Sequence, residues 1–245
     1  MEIIHYFCSL KIEKKMSRIL HIETSTQACS VAVSEDGHNL FTQEDMDGPN
    51  HNIKLGQFVD EALSFADSHA LPLDAVAVSC GPGSYTGLRI GVSMAKGVCY
   101  GRNLKLIGLP TLEVICVPVL LYHDEVEDDA LLCPMIDARR MEVYAAIYDR
   151  ALRTIRPTQA DIVTPESYLE YLERGPVYFF GNGAEKCRET IVHPNAHFID
   201  GVRPLARHMC PLAEKAIALE KYEDVAYFEP FYLKEFVAGK PKPLL

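Results

Sequence analysis

Short apolar runs separated by polar turns open the regular part of this chain, and a similar pattern returns in its second half. Residues 18–23, 28–34 and 38–44 carry strand-forming apolar positions, with Thr24-Ser25-Thr26-Gln27 and Glu35-Asp36-Gly37 as turns between them, which predicts three antiparallel strands. Asn50 then stands where a helix cap belongs, and Leu55, Phe58, Val59, Ala62 and Ala66 form one apolar stripe behind it. A buried strand is predicted over 74–79, a helix over about 84–101, a strand over 104–109 and a helix from Pro110 to about Tyr122. The acidic run 124–129 breaks the apolar pattern and reads as a solvated loop. After it, strands are expected at 131–136, 141–148 and 154–163, around the turn Asp137-Ala138-Arg139-Arg140. Helices are expected at about 165–174, 184–191 and 204–220, with a strand at 177–180.

The junction between the strand at 74–79 and its helix is the most distinctive segment: Gly81-Pro82-Gly83-Ser84-Tyr85-Thr86-Gly87-Leu88-Arg89-Ile90-Gly91. Glycines there permit positive φ and close backbone approach, and the free N–H groups of a first helical turn favour an anion. It is neither a Gly-x-x-x-x-Gly-Lys-Ser/Thr loop nor a dinucleotide-binding fingerprint. Leu88, Val92, Ala95 and Cys99 mark the apolar side of the helix. Gly87, Gly91 and Ala95 lie four apart, and each interior glycine costs about 1 kcal/mol relative to alanine, so something packs closely there. The expectation is that this face and the helix after Asn50 form a partner surface; the alternative is contact with the protein's own sheet.

With 245 residues, 48% hydrophobic and 24% charged, the chain has the composition of an ordinary globular protein. No apolar run reaches the length of a membrane span, so no membrane partner is expected, and the cysteine usage predicts a cytoplasmic protein. A formal charge of −10 argues against gripping a nucleic-acid backbone unaided. Eight cysteines without a Cys-x-x-Cys pair read as reduced buried thiols. The expected division is an extension at 1–15, a first lobe at 16–123, a second lobe at 124–236 whose last helix is free to pack back on the first, and a tail at 237–245.

Each lobe thus opens with three strands and an acid at the first turn, Glu23 and Asp137, which resembles the two-lobed α/β fold of actin-like ATPases (ASKHA, ribonuclease H-like) with duplicated β-β-β-α/β lobes. Ile19-Leu20-His21-Ile22-Glu23-Thr24-Ser25-Thr26, the loop at 81–91, Asp137-Ala138-Arg139-Arg140-Met141-Glu142-Val143-Tyr144 and Phe228-Glu229-Pro230-Phe231-Tyr232-Leu233-Lys234 together resemble the TsaB (YeaZ) family. That resemblance implies a non-catalytic subunit supporting the paralogue TsaD, with TsaE in a ternary assembly. This assembly forms N6-threonylcarbamoyladenosine beside the anticodon of tRNAs reading ANN codons. It also implies a homodimer when the protein is alone, indirect tRNA contact, and ATP and metal used by partner subunits, with no cofactor of its own. The interface residues expected are His51, Leu55, Gly81, Pro82, Gly83, Ser84, Tyr85, Thr86, Gly87, Arg89, Gly91 and Ala95.

A phosphate site of this superfamily needs an acid beside a small, backbone-rich turn. Here the first acid is a glutamate, and Ala138, Arg139 and Arg140 stand where glycines would admit a phosphate. Gly181-Asn182-Gly183 resembles an adenosine-side loop, so Glu23, Thr24, Ser25, Asp137, Arg139, Gly181 and Gly183 define a relic nucleotide pocket. The bland reading of Glu23 and Asp137 is that each satisfies turn N–H groups. The competing function is an independent actin-like ATPase or small-metabolite kinase using the same residues. A metallopeptidase is disfavoured: His193 and His197 have helical ligand spacing, but Pro194 keeps them off one helix face, and no Cys/His dyad is legible.

Overall fold

The computed structural model describes residues 16–48 and 50–234. Its first sheet comprises β1 (Arg18–Glu23), β2 (Cys29–Glu35), β3 (His38–Asp45), β4 (Ala75–Gly81) and β5 (Lys105–Pro110), in the order β3-β2-β1-β4-β5. β1 runs antiparallel to β2 and parallel to β4, with Leu20 opposite both Val33 and Val76. Alternate residues of such a strand face opposite sides. Leu20, Ile22, Val31, Val76 and Val78 enter a core with α1 (His51–Ser68) and α2 (Tyr85–Arg102). Ile19, Ala32, Ala75 and Ala77 face α3 (Thr111–Tyr122) and, near the chain's end, α5 (Cys210–Ala218). With both faces covered, β1 is buried from Ile19 to Glu23, polar His21 and Glu23 included.

The second sheet repeats the plan. β6 (Leu131–Asp137), β7 (Glu142–Tyr148), β8 (Thr154–Ile162), β9 (Val177–Phe180) and β10 (Ala196–Ile199) are ordered β10-β9-β6-β7-β8, the same topology read from the other edge. The expected two-lobed α/β architecture is therefore present. α3 joins the sheets: Val114 and Val117 belong to the core under the first, whereas Leu112, Ile115, Cys116 and Val119 pack with Leu132, Ile136 and Phe180 of the second.

Several second-lobe expectations need correction. The helix over 165–174 shrinks to α4 (Leu169–Leu172), because Tyr168 takes a left-handed φ of 65° and breaks the preceding turn. Over 184–191 there is only a 3-10 turn, Glu185–Cys187, held by short-range bonds such as Cys187 N–H to the Ala184 carbonyl at 2.9 Å. The helix over 204–220 divides into a 3-10 turn, Ala206–His208, and α5. Ser30 Oγ accepts the Ala206 N–H at 2.9 Å, and Glu214 accepts from Ser17 Oγ at 2.6 Å, so α5 is bound to the first sheet. β10 was not anticipated; its four residues follow the Pro194-Asn195 turn too closely to show alternation. Asn50 occupies the cap position of α1, but its side chain bonds Asp45 at 3.2 Å instead of capping. The extension at 1–15 and the tail at 237–245 lie outside the described residues.

Candidate functional site

The two lobes enclose a cleft of about 780 Å³. One wall is the β1–β2 turn (Ser25, Thr26, Gln27) with the start of α2; the other is the β6–β7 turn (Asp137, Ala138, Arg139) with Asn182. Both walls are built alike. After β4, Ser84 N–H bonds the Ser25 carbonyl at 2.7 Å; after β9, Gly183 N–H bonds the Met135 carbonyl at 3.0 Å. Gly83 sits so close to Ser25, and Gly183 to Ile136, that a Cβ on either would lie within 3.0 Å of backbone. Gly181, at φ 95°, packs equally tightly on Met135. These glycines are spent on joining strand ends inside each lobe.

The residues at the two acids do not fit a metal–nucleotide. Glu23 is fully buried, and its longer side chain folds back so that Oε1 accepts the Ser25 N–H at 2.6 Å. The carboxylate thus fills the N–H cradle that a phosphate would use. Burial raises its pKa, opposed by the nearby Ser25 and Ser79 hydroxyls and the turn N–H groups. Glu23 Oε2, Ser25 Oγ and Ser79 Oγ are nevertheless buried without a hydrogen bond of ordinary geometry. In the second lobe Asp137 Oδ1 accepts the Arg139 N–H at 3.0 Å and is paired with the Lys186 ammonium, which also donates to the Glu142 carbonyl at 2.7 Å. Arg139 and Arg140 both have positive φ, 72° and 50°, so this turn carries bulky side chains where a phosphate loop needs open backbone. Among the described residues no group of three or more His, Cys, Asp or Glu could hold a metal.

The expected interface residues divide sharply. Leu55 and Ala95 are core, and His51 is buried with Nε2 on the Ala28 carbonyl at 3.1 Å. Gly87 and Gly91 are pressed against Thr24: a Cβ would come 2.1 Å from its carbonyl oxygen and 2.2 Å from its hydroxyl. Gly81 and Pro82 are buried beside the segment at Phe231. The close approach read from the small-residue spacing is therefore made to the protein's own β1 end, which removes this face from any partner surface. Ser84, Tyr85, Thr86 and Arg89 remain at the cleft mouth or surface.

The opposite face of α2 is different. Gly97, like Gly56 on α1, is an interior helical glycine with nothing within 4 Å of where a Cβ would stand, and Gly101 in the last turn of α2 is equally open. Gly97 borders two shallow hollows, one lined by Ile90, Met94 and Val98, the other by Tyr100 and residues 224–226. Tyr100 is 87% exposed and Ile53 70%.

A buried Cys/His contact does exist: Cys210 Sγ lies 3.7 Å from His21 Nε2, which is 2.7 Å from Ser34 Oγ. Burial lowers the His21 pKa to about 3 and raises that of Cys210 to about 11, so both are neutral and the pair is no nucleophile.

The family described as TsaD, tRNA N6-adenosine threonylcarbamoyltransferase, matches residues 46–238. An Escherichia coli (strain K12) relative, tRNA threonylcarbamoyladenosine biosynthesis protein TsaB, is 31% identical over 233 residues, covering 92% of this chain and 98% of the relative. The chain belongs to the TsaB family. The TsaB of Haemophilus influenzae is 26% identical over 92% of this chain and 97% of its own. YeaZ from Pseudomonas aeruginosa superposes with a TM-score of 0.71 at 23% identity, covering 89% of this chain and all of that one, a likeness of fold.

Within this TsaB-family chain, sequence reasoning missed Lys186, the outward glycines and the course of residues 223–234. Gly97 and Gly101 repeat the four-residue spacing and were open to the same argument as Gly87 and Gly91. Lys186 had no local signal, since its partner Asp137 is distant in sequence.

Proposed function

We propose that this chain is a non-catalytic subunit of tRNA threonylcarbamoyladenosine biosynthesis. In this reading it supports TsaD, joins TsaE in a ternary assembly, self-associates when alone, and meets tRNA only through the complex that modifies ANN-reading tRNAs. Family membership carries the pathway. The observation that carries the non-catalytic role is that both half-sites are filled by the protein itself, by Glu23 on the first cradle and Lys186 on the second acid. The outer face of α2 is the partner surface in this reading. Interior glycines without an intramolecular contact destabilise a helix by about 1 kcal/mol each, and a closely packed partner offsets that.

The test is Gly97→Leu against Gly91→Leu. The first should melt at or slightly above the parent temperature and lose co-purification with TsaD; the second should lose its fold. Normal TsaD capture by Gly97→Leu would refute the surface. ATP turnover by the isolated chain, abolished by Asp137→Ala, would refute the non-catalytic role.

A further inference from the structure

Residues 223–234 run from the edge of β5 along α2 to the interlobe cleft. Glu223 N–H bonds the Leu106 carbonyl at 2.8 Å, bridging the outer edge of β5. Lys96, on α2, donates to the Ala226 and Phe228 carbonyls, both at 3.0 Å. The Phe228 ring lies on Gly108, where a Cβ would come 2.6 Å from its tip. Phe231 N–H bonds the Cys80 carbonyl at 2.7 Å, and the Tyr232 ring meets Tyr85 at 5.1 Å between centroids. Lys234 then crosses to the second lobe and pairs with Glu142, whose carbonyl also holds Lys186. One end of the segment therefore walls the hollow beside Gly97 and Tyr100, and the other walls the interlobe cleft.

We infer that residues 223–234 are a latch coupling the outer face of α2 to the β6–β7 hairpin across the cleft. The identity of what seats on α2 rests on the reading proposed above; the coupling within the chain does not. The latched state has Phe228 on Gly108 and Lys234 on Glu142; the released state has neither. A body covering Gly97 also touches residues 224–226, so it binds the latched state better, and by linkage release of the latch must weaken its binding. Gly108 is the point of control. An alanine there meets the far end of the Phe228 side chain and Glu223 Oε1, so it displaces the ring from β5 while changing no residue of α2 or of the cleft.

Hydrogen exchange on the full chain tests this with Gly108→Ala and, separately, Phe228→Ala, which leaves β5 intact if the first variant fails to fold. In the isolated protein, both should speed exchange at the Phe231 amide and across residues 137–142, with the first sheet protected as in the parent. Binding to TsaD should weaken by about fivefold or more, the usual lower range of such coupling. Faster exchange at Phe231 with residues 137–142 unchanged would overturn the latch and leave a static cover. If Gly97→Leu still binds TsaD, the proposed surface fails, while exchange at residues 137–142 still decides the coupling.

Discussion

Glu23 is buried against backbone N–H groups, and its desolvation raises its pKa. A carboxyl whose folded pKa lies above its unfolded one adds stability at low pH that is lost as pH rises through the folded value. Glu23→Gln, which keeps an acceptor for Ser25 N–H, should therefore gain more stability relative to the parent at pH 8 than at pH 5. Urea midpoints at the two pH values check this. His21 acts oppositely. Its pKa is lowered to about 3 by burial, so the unfolded chain takes up this proton first, and the His21 contribution to stability falls from about pH 6.5 downward. A His21→Gln variant whose stability changes with pH as the parent's does between pH 7 and 4 would contradict a buried neutral His21. Gly87 gives the third residue-scale expectation: alanine there meets the Thr24 carbonyl and should lower stability by about 1–3 kcal/mol, read by thermal melting.

At the scale of elements, α2 shows what periodicity delivers and where it stops. Its position, its core stripe through Leu88, Val92, Ala95 and Cys99, and the tight packing of Gly87 and Gly91 were all legible in the sequence. The object packed against was not, because small residues four apart admit a strand end as readily as a second helix. The first-lobe strands were legible because both faces of β1 are buried and the turns are polar. The second lobe's short turns were not, since Tyr168 with positive φ and the Pro194-Asn195 turn interrupt any stripe before it spans three turns. In the site, Glu23 and Asp137 were found as turn acids, but Lys186 was out of reach of local reasoning. Gly97→Ala should raise the melting temperature by the equivalent of about 0.5–1 kcal/mol, since the site is open. A lower melting temperature would mean that an unrecognised contact is made there.

Across the whole molecule, the formal charge of −10 opposes phosphate backbones, so the chain without partners should bind tRNA weakly at physiological salt. A gel shift by the chain alone at submicromolar concentration would contradict this. The duplicated sheets suggest two units, yet α3 gives one flank to each core. Its valines at 114 and 117 and its Leu112, Ile115 and Val119 leave no polar side to face water. Gene fission at the acidic loop 124–129 would consequently yield a first fragment with an oily flank and a second with an open core. Neither should be soluble without the other, whereas co-expressed fragments should reassemble. For the intact chain the same sharing makes melting a single calorimetric event, because neither sheet can lose its order while the other keeps the helix.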